Sequence, residues 1–99
     1  MSFYYLDVSL EANTTVDDEH FLAHVKCCIK ALLGETGAGV PIDLLKFNPA
    51  QTRAILRCPA SFFIKLQTSL TTCGYYNNHP ARFITHRTSP CLLNLLSVN

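Results

Sequence analysis

The feature that most constrains this chain is a change of hydrophobic period. From Phe3 to Glu11 the residues alternate: Tyr4, Leu6, Val8 and Leu10 fall on one face, and Phe3, Tyr5, Asp7 and Ser9 on the other. That is the pattern of a strand with one buried side. After a break at Asn13 to Thr15 the period lengthens. Phe21, Leu22, Val25, Cys28, Ile29, Leu32 and Leu33 recur at three- and four-residue steps, which predicts an amphipathic helix. Thr15 reads as its N-cap, and Asp17, Asp18 and Glu19 suit the positive end of the helix dipole. Gly34 is expected to end the helix as a C-cap.

The remaining punctuation yields four further elements and a tail. Pro41 opens a strand from Ile42 to Phe47, Asn48-Pro49 marks a turn, and Thr52 to Cys58 forms the next strand, so the two runs read as a hairpin. Pro59 starts a second helix, capped by Ser61, striped by Phe62, Phe63, Leu66 and Leu70, and closed by Gly74. Tyr75 and Tyr76 begin another strand, Asn77-Asn78-His79-Pro80 is turn chemistry, and Ala81 to Thr88 reads as a strand. Ser89-Pro90 then initiates a short apolar helix from Cys91 to Leu96. The order predicts one α+β domain over residues 1–99, a ferredoxin-like split β-α-β with a short C-terminal helix. Both long helices then cover one sheet face. The other face starts open and carries Phe3, Tyr5, Arg53, Ile55 and Arg57.

Composition adds a reason to expect partners. The chain of 99 residues is 48% hydrophobic and 15% charged, against about 25% charged in an ordinary soluble domain. A small domain has more surface per volume and needs more polar surface, not less. Covered apolar surface in an assembly resolves this, and the isolated chain is expected to self-associate. Charge is unevenly divided. Residues 1–50 hold Lys26, Lys30 and Lys46 against seven acids, whereas residues 51–99 hold Arg53, Arg57, Lys65, Arg82 and Arg87 and no acid. This asymmetry points the basic half toward an anionic partner, although folding interleaves the halves and five scattered cations fall short of a basic tract.

The five cysteines, Cys27, Cys28, Cys58, Cys73 and Cys91, are odd in number and follow no signal peptide. They read as thiols of a reducing compartment acting as small apolar residues, with Cys28 inert in the core. No apolar run approaches the ~18 residues of a membrane span.

No reactive constellation emerges. His20 and His24 stand at i, i+4 with Cys27 and Cys28 a turn later, but residues 21–23 are Phe-Leu-Ala and lack the glutamate of a zinc-protease motif. Both histidines fall on the solvated flank of the stripe, so no metal site is assigned. Cys–His pairing remains open because such partners need only be near in space. A nucleophile elbow, a P-loop and any other catalytic or cofactor signature are absent. The third strand, Thr-Arg-Ala-Ile-Leu-Arg-Cys, supplies arginines but none of the aromatics of an RNA-recognition octet. Charge and strand parity make Arg53, Arg57, Lys65, Arg82 and Arg87 the RNA-contact candidates. Phe3, Tyr5, Ile55, Tyr75 and Tyr76 are the protein-interface candidates. The rival reading is an autonomous single-stranded RNA-binding domain using Phe3, Tyr5, Arg53 and Arg57. A third is a small enzyme or metal carrier built on the histidine–cysteine cluster.

Several segments in order carry a family likeness: Leu32-Leu33-Gly34-Glu35, Pro41-Ile42-Asp43-Leu44-Leu45, Ala54-Ile55-Leu56-Arg57, Lys65-Leu66 with Ser69-Leu70, and Ser89-Pro90 with Leu92-Leu93. From Tyr5 to about Leu95 the chain resembles the nuclear ribonuclease P/MRP small protein-subunit family. The resemblance implies the same ferredoxin-like fold and a non-catalytic subunit of an RNA-based endonuclease that removes 5′ leaders from precursor tRNA. It implies a paralogous small subunit, a larger barrel-like subunit and structured RNA as partners, no membrane, a nuclear and nucleolar setting, and a place in the related rRNA-processing particle. Asn77-Asn78-His79 carries no cation, so RNA contact is not expected there.

Overall fold

The computed structural model describes residues 2–96. Strand β1 spans Phe3–Glu11 and helix α1 Asp18–Ala38; β2 spans Asp43–Asn48 and β3 Arg53–Pro59. A single 3₁₀ turn, Ala60–Phe62, leads into α2, Phe63–Thr72. The short strands β4, Tyr75–Tyr76, and β5, His79–Pro80, precede β6, Arg82–Ser89, and α3, Leu92–Leu96. The main sheet has the order β2-β3-β1-β6, with every neighbouring pair antiparallel. Each β-α-β unit is therefore split by an intervening strand, which is the ferredoxin-like arrangement.

Strand parity sorts the core. Leu6, Val8 and Leu10 of β1 and Ala54, Leu56 and Cys58 of β3 are buried, as are Phe21, Val25, Cys28 and Ile29 of α1 and Leu66 and Leu70 of α2. Phe21 lies edge-on to Phe47 at 5.5 Å and to Phe83 at 5.6 Å, an arrangement that aromatic quadrupoles favour. Tyr4 stacks on Phe63 at 4.1 Å and ties β1 to α2. Leu32, counted in the helix stripe by its spacing, is instead 44% exposed.

Several boundaries differ from the sequence expectation, each for a local reason. The α1 N-cap is Asp17, not Thr15: its carboxylate accepts from the His20 backbone N–H at 2.8 Å, filling one of the orphan donors of the first turn. The second helix takes no cap from Ser61; the 3₁₀ turn leads directly into it. Gly34 does not end α1. It adopts φ 74°, ψ −165°, and helical turns resume beyond it to Ala38, with Gly39 as the C-cap. The resumed turn packs tightly, since a Cβ on Gly37 would stand 2.5 Å from Leu33 Cβ. Tyr75 and Tyr76 pair with Pro80 and His79 across Asn77 and Asn78, both at positive φ, a two-residue hairpin of the type these residues favour.

The outer sheet face is not open. Asp7, Ser9 and Ile55 on that face are only 4%, 8% and 7% exposed, and the C-terminal helix lies against β1 and β6. Leu95 of α3 is buried, so the short helix forms a third layer over the side left bare by α1 and α2.

Gly34 occupies a backbone region reserved for glycine. Gly34→Ala should lower stability by about 1–3 kcal/mol in urea unfolding. Gly74→Ala, where φ is not positive and a Cβ meets nothing within 4 Å, should cause no loss.

Candidate functional site

The charged groups of the outer sheet face organise around one carboxylate. Strand pairing sets Asp7 of β1 opposite Ile55 of β3 on one side and Arg87 of β6 on the other, with Arg53 opposite Ser9. Arg53 donates through Nε and Nη2 to the two oxygens of Asp7, both at 2.8 Å, a bidentate fork. Arg87 Nη2 reaches Asp7 Oδ2 at 3.5 Å. The same guanidinium donates to the Asn94 and Leu95 carbonyls at 2.9 and 2.6 Å, so it caps the last turn of α3 where a cation suits the helix dipole. A β-bulge places His86 between these pairs, and its Nε2 is 2.8 Å from Ser9 Oγ.

Burial would raise the Asp7 carboxyl, but the Arg53 hydrogen bonds and charge, with help from His86 and Arg87, outweigh it and hold the group below its ordinary value. Beside this cluster lies a cavity of about 370 Å³ lined by Lys46, Arg53, Arg87, Ile55 and Leu95 together with Asp7. It carries three cations against one carboxylate.

The five RNA-contact candidates are therefore not equivalent. Arg53 and Arg87 share Asp7. Arg57 donates to Asp43 Oδ2 at 3.0 and 2.8 Å, and its guanidinium lies 4.7 Å from the centre of the Phe3 ring. Arg82 donates to Glu11 at 2.8 Å. Lys65 stands exposed on α2 with no ion pair among the described residues. The charge asymmetry between the chain halves resolves within the molecule: acids of the first half, Asp7, Glu11 and Asp43, meet arginines of the second across the sheet.

The interface candidates also separate. Tyr75 is 66% exposed, whereas Ile55 is buried because it lines the groove with Leu95 and Leu96, and so it is not available on a bare face. Phe3 and Tyr5 are half-buried, Phe3 under Arg57. Tyr76 turns inward against the His24 ring at 4.8 Å.

Lys46 on the edge strand β2 and Asp7 on the interior strand β1 escape a reading by sequence, since a charge on a strand carries no signal of the groove it lines. Cys28 is not an inert thiol: it forms a disulfide with Cys73. His24 leaves the solvated flank for a half-buried place stacked on Phe83. His20 stays exposed beside Asp17. Buried Cys58 has its thiol pushed up to about 11 by desolvation, so it is protonated and inert, while Cys27 and Cys91 are exposed. No helix among the described residues is long and apolar enough to cross a membrane.

The fold and this face define a small split β-α-β domain whose outer sheet side is closed by its own C-terminal helix and by arginine–carboxylate pairs. Residues 4–95 match the model of the Rpp14/Pop5 family, and the chain belongs to that family. It is similar to Ribonuclease P protein subunit p14 of Mus musculus, 32% identical over 96 residues, covering 94% of this chain and 79% of that protein. The p14 subunit of Homo sapiens is likewise 32% identical over 96 residues, with 94% and 77% covered. Among solved structures, a chain in the cryo-EM structure of yeast Ribonuclease MRP superposes with a TM-score of 0.79 at 15% identity, over 90% of this chain and 74% of that one. At that identity the likeness is one of fold.

Asp7 sets an acid limit on stability. Its folded pKa lies below its unfolded one, so its contribution is present above the ordinary carboxylate range and is lost as pH falls through the depressed folded value. Asp7→Asn should cost about 2 kcal/mol in urea unfolding at neutral pH. That is less than a fully buried pair costs, because Arg53 and Arg87 keep 36% and 30% of their side-chain surface in water. The cost should shrink toward zero in strong acid.

Proposed function

We propose that this chain is a non-catalytic protein subunit of a ribonuclease P-type particle, in which an RNA cleaves 5′ leaders from precursor tRNA and the protein braces the assembly. The observation that carries the reading is the family match across residues 4–95, joined to 32% identity with p14 subunits over nearly the whole chain. The geometry supports bracing over chemistry. The outer face does pair Ser9 Oγ with His86 Nε2 at 2.8 Å, but Ser9 is only 8% exposed and the carboxylate beside the pair is held by two arginines. Large apolar side chains remain exposed on several elements, namely Leu32, Leu45, Ile64, Tyr75 and Leu93, and such surface suits sister subunits, including a paralogous small subunit and a larger barrel-like one.

RNA contact in this reading falls first to cations that no carboxylate occupies. Lys46 and Lys65 are exposed and have no ion pair among the described residues. Arg53, Arg57, Arg82 and Arg87 would have to share or surrender a carboxylate to take a phosphate. The same pairing argues against an autonomous single-stranded RNA reader, because Phe3 and Arg57 already cover each other. A nuclear and nucleolar setting and service in the related rRNA-processing particle follow from the same assignment.

Affinity capture of the tagged full chain from cells of its source tests the proposal. It should recover several sister subunits with one structured RNA, and the captured material should cleave the 5′ leader of precursor tRNA while the purified chain alone does not. Recovery of neither subunits nor RNA, or leader cleavage by the chain alone, would overturn it.

A further inference from the structure

A second cluster lies on the helix side of the sheet, away from the charged face. His24 Nε2, Cys28 Sγ and Cys73 Sγ all lie within 4.8 Å of one another. The imidazole nitrogen is 3.8 Å from Cys28 Sγ and 3.7 Å from Cys73 Sγ. His24 and Cys28 stand at i, i+4 on α1, a spacing that sets two side chains on one helix face. Cys73 is the C-cap of α2, so the cluster joins the body of α1 to the end of α2 through cysteines 45 residues apart in sequence. The His24 ring is fixed, stacked on Phe83 at 5.3 Å with its edge to Tyr76 at 4.8 Å, and its Nε2 faces the sulfurs. A cavity of about 240 Å³ adjoins the two sulfurs and is lined also by Ala31, Leu32, Ser69 and Thr72.

We propose that the chain, once the Cys28–Cys73 bond is reduced, binds one zinc-type divalent cation through His24 Nε2 and the Cys28 and Cys73 thiolates, with water from the adjoining cavity as fourth ligand. Two thiolates and an imidazole are the donor types that such an ion selects. With metal–sulfur bonds of about 2.3 Å and metal–nitrogen bonds of about 2.0–2.1 Å, a tetrahedral site holds nitrogen and sulfur roughly 3.5–3.6 Å apart. The two imidazole–sulfur separations in the structure are close to this value, so His24 is already aimed and only the sulfurs need to part. The steps balance. A phosphine and water convert the disulfide to two thiols and leave the phosphine oxide. The cation then displaces the two thiol protons to solvent. Disulfide and metal are mutually exclusive, and both tie α1 to the end of α2.

The test uses the full chain, reduced with a phosphine under anaerobic conditions and titrated with cobalt(II). One equivalent should give thiolate-to-cobalt charge-transfer absorption and the intense visible bands of four-coordinate cobalt, and one equivalent of zinc should abolish them. Cys73→Ser and His24→Gln, both at partly exposed positions, should each weaken cobalt binding at least tenfold while the far-ultraviolet circular dichroism stays native. Cys27→Ser and Cys91→Ser should leave the spectrum unchanged, and the unreduced chain should give none. A reduced chain that shows no stoichiometric cobalt spectrum would overturn the proposal. So would a spectrum that survives Cys73→Ser, or one that disappears in Cys27→Ser.

Discussion

A single buried carboxylate holds the outer side of this molecule together. Asp7 sits on the central strand, is 4% exposed, and takes arginines from both neighbouring strands. Arg87 extends the same network to the carbonyls of Asn94 and Leu95. The last helix has five residues, far too few to be stable alone. Its place depends on Leu95 packing inward and on Arg87 holding its carbonyl end. The carboxylate is costly to bury and returns that cost only while both partners remain. Strands β1, β3 and β6 and helix α3 are thereby committed to one arrangement, and the groove lined by Lys46, Ile55 and Leu95 exists only as its consequence.

The same network changes the meaning of the charge pattern. Read along the chain, an acidic first half and a basic second half suggest a polyanionic partner. In the fold, Asp7, Glu11 and Asp43 lie opposite Arg53, Arg87, Arg82 and Arg57. Antiparallel pairing of an early strand with late ones brings the two halves into register, so the asymmetry largely serves the sheet. What remains for a polyanion is a smaller set of cations with no ion pair among the described residues, Lys46 on the rim, Lys65 on α2 and Lys26 on α1. Alongside them the surface presents large apolar side chains, with Ile64, Tyr75 and Leu93 each well exposed.

Much of the scaffold was legible because periodicity is local. The alternation of Phe3 to Glu11 and the helical stripe from Phe21 to Leu33 correspond to β1 and α1; of the four residues read as turn chemistry, Asn77 and Asn78 make the turn, while His79 and Pro80 pair as a strand with Tyr76 and Tyr75. The displaced helix caps have local reasons; most of the other misses turn on what packs on an element from elsewhere. A glycine at positive φ serves equally as a helix stop or a kink, and only the tight seat of Gly37 against Leu33 shows that Gly34 is the latter. Ile55 and Asp7 alternate onto the face opposite the main core, and nothing nearby announces that α3 will cover it. His24 is beside the apolar stripe by helical spacing; Tyr76 and Phe83, some fifty residues on, decide that this flank is dry. Cys73 closes a helix in the sequence, and its pairing with Cys28 is a property of the fold alone.

The most direct measurement of this account is a carboxyl carbon-13 NMR titration of Asp7 in the intact chain. The network predicts a midpoint below the ordinary aspartate value of 3.8, moving upward in Arg53→Gln, where burial then acts with less opposition. A midpoint at or above 3.8 in the unaltered chain, or one indifferent to Arg53, would contradict the claim that this carboxylate organises the outer face.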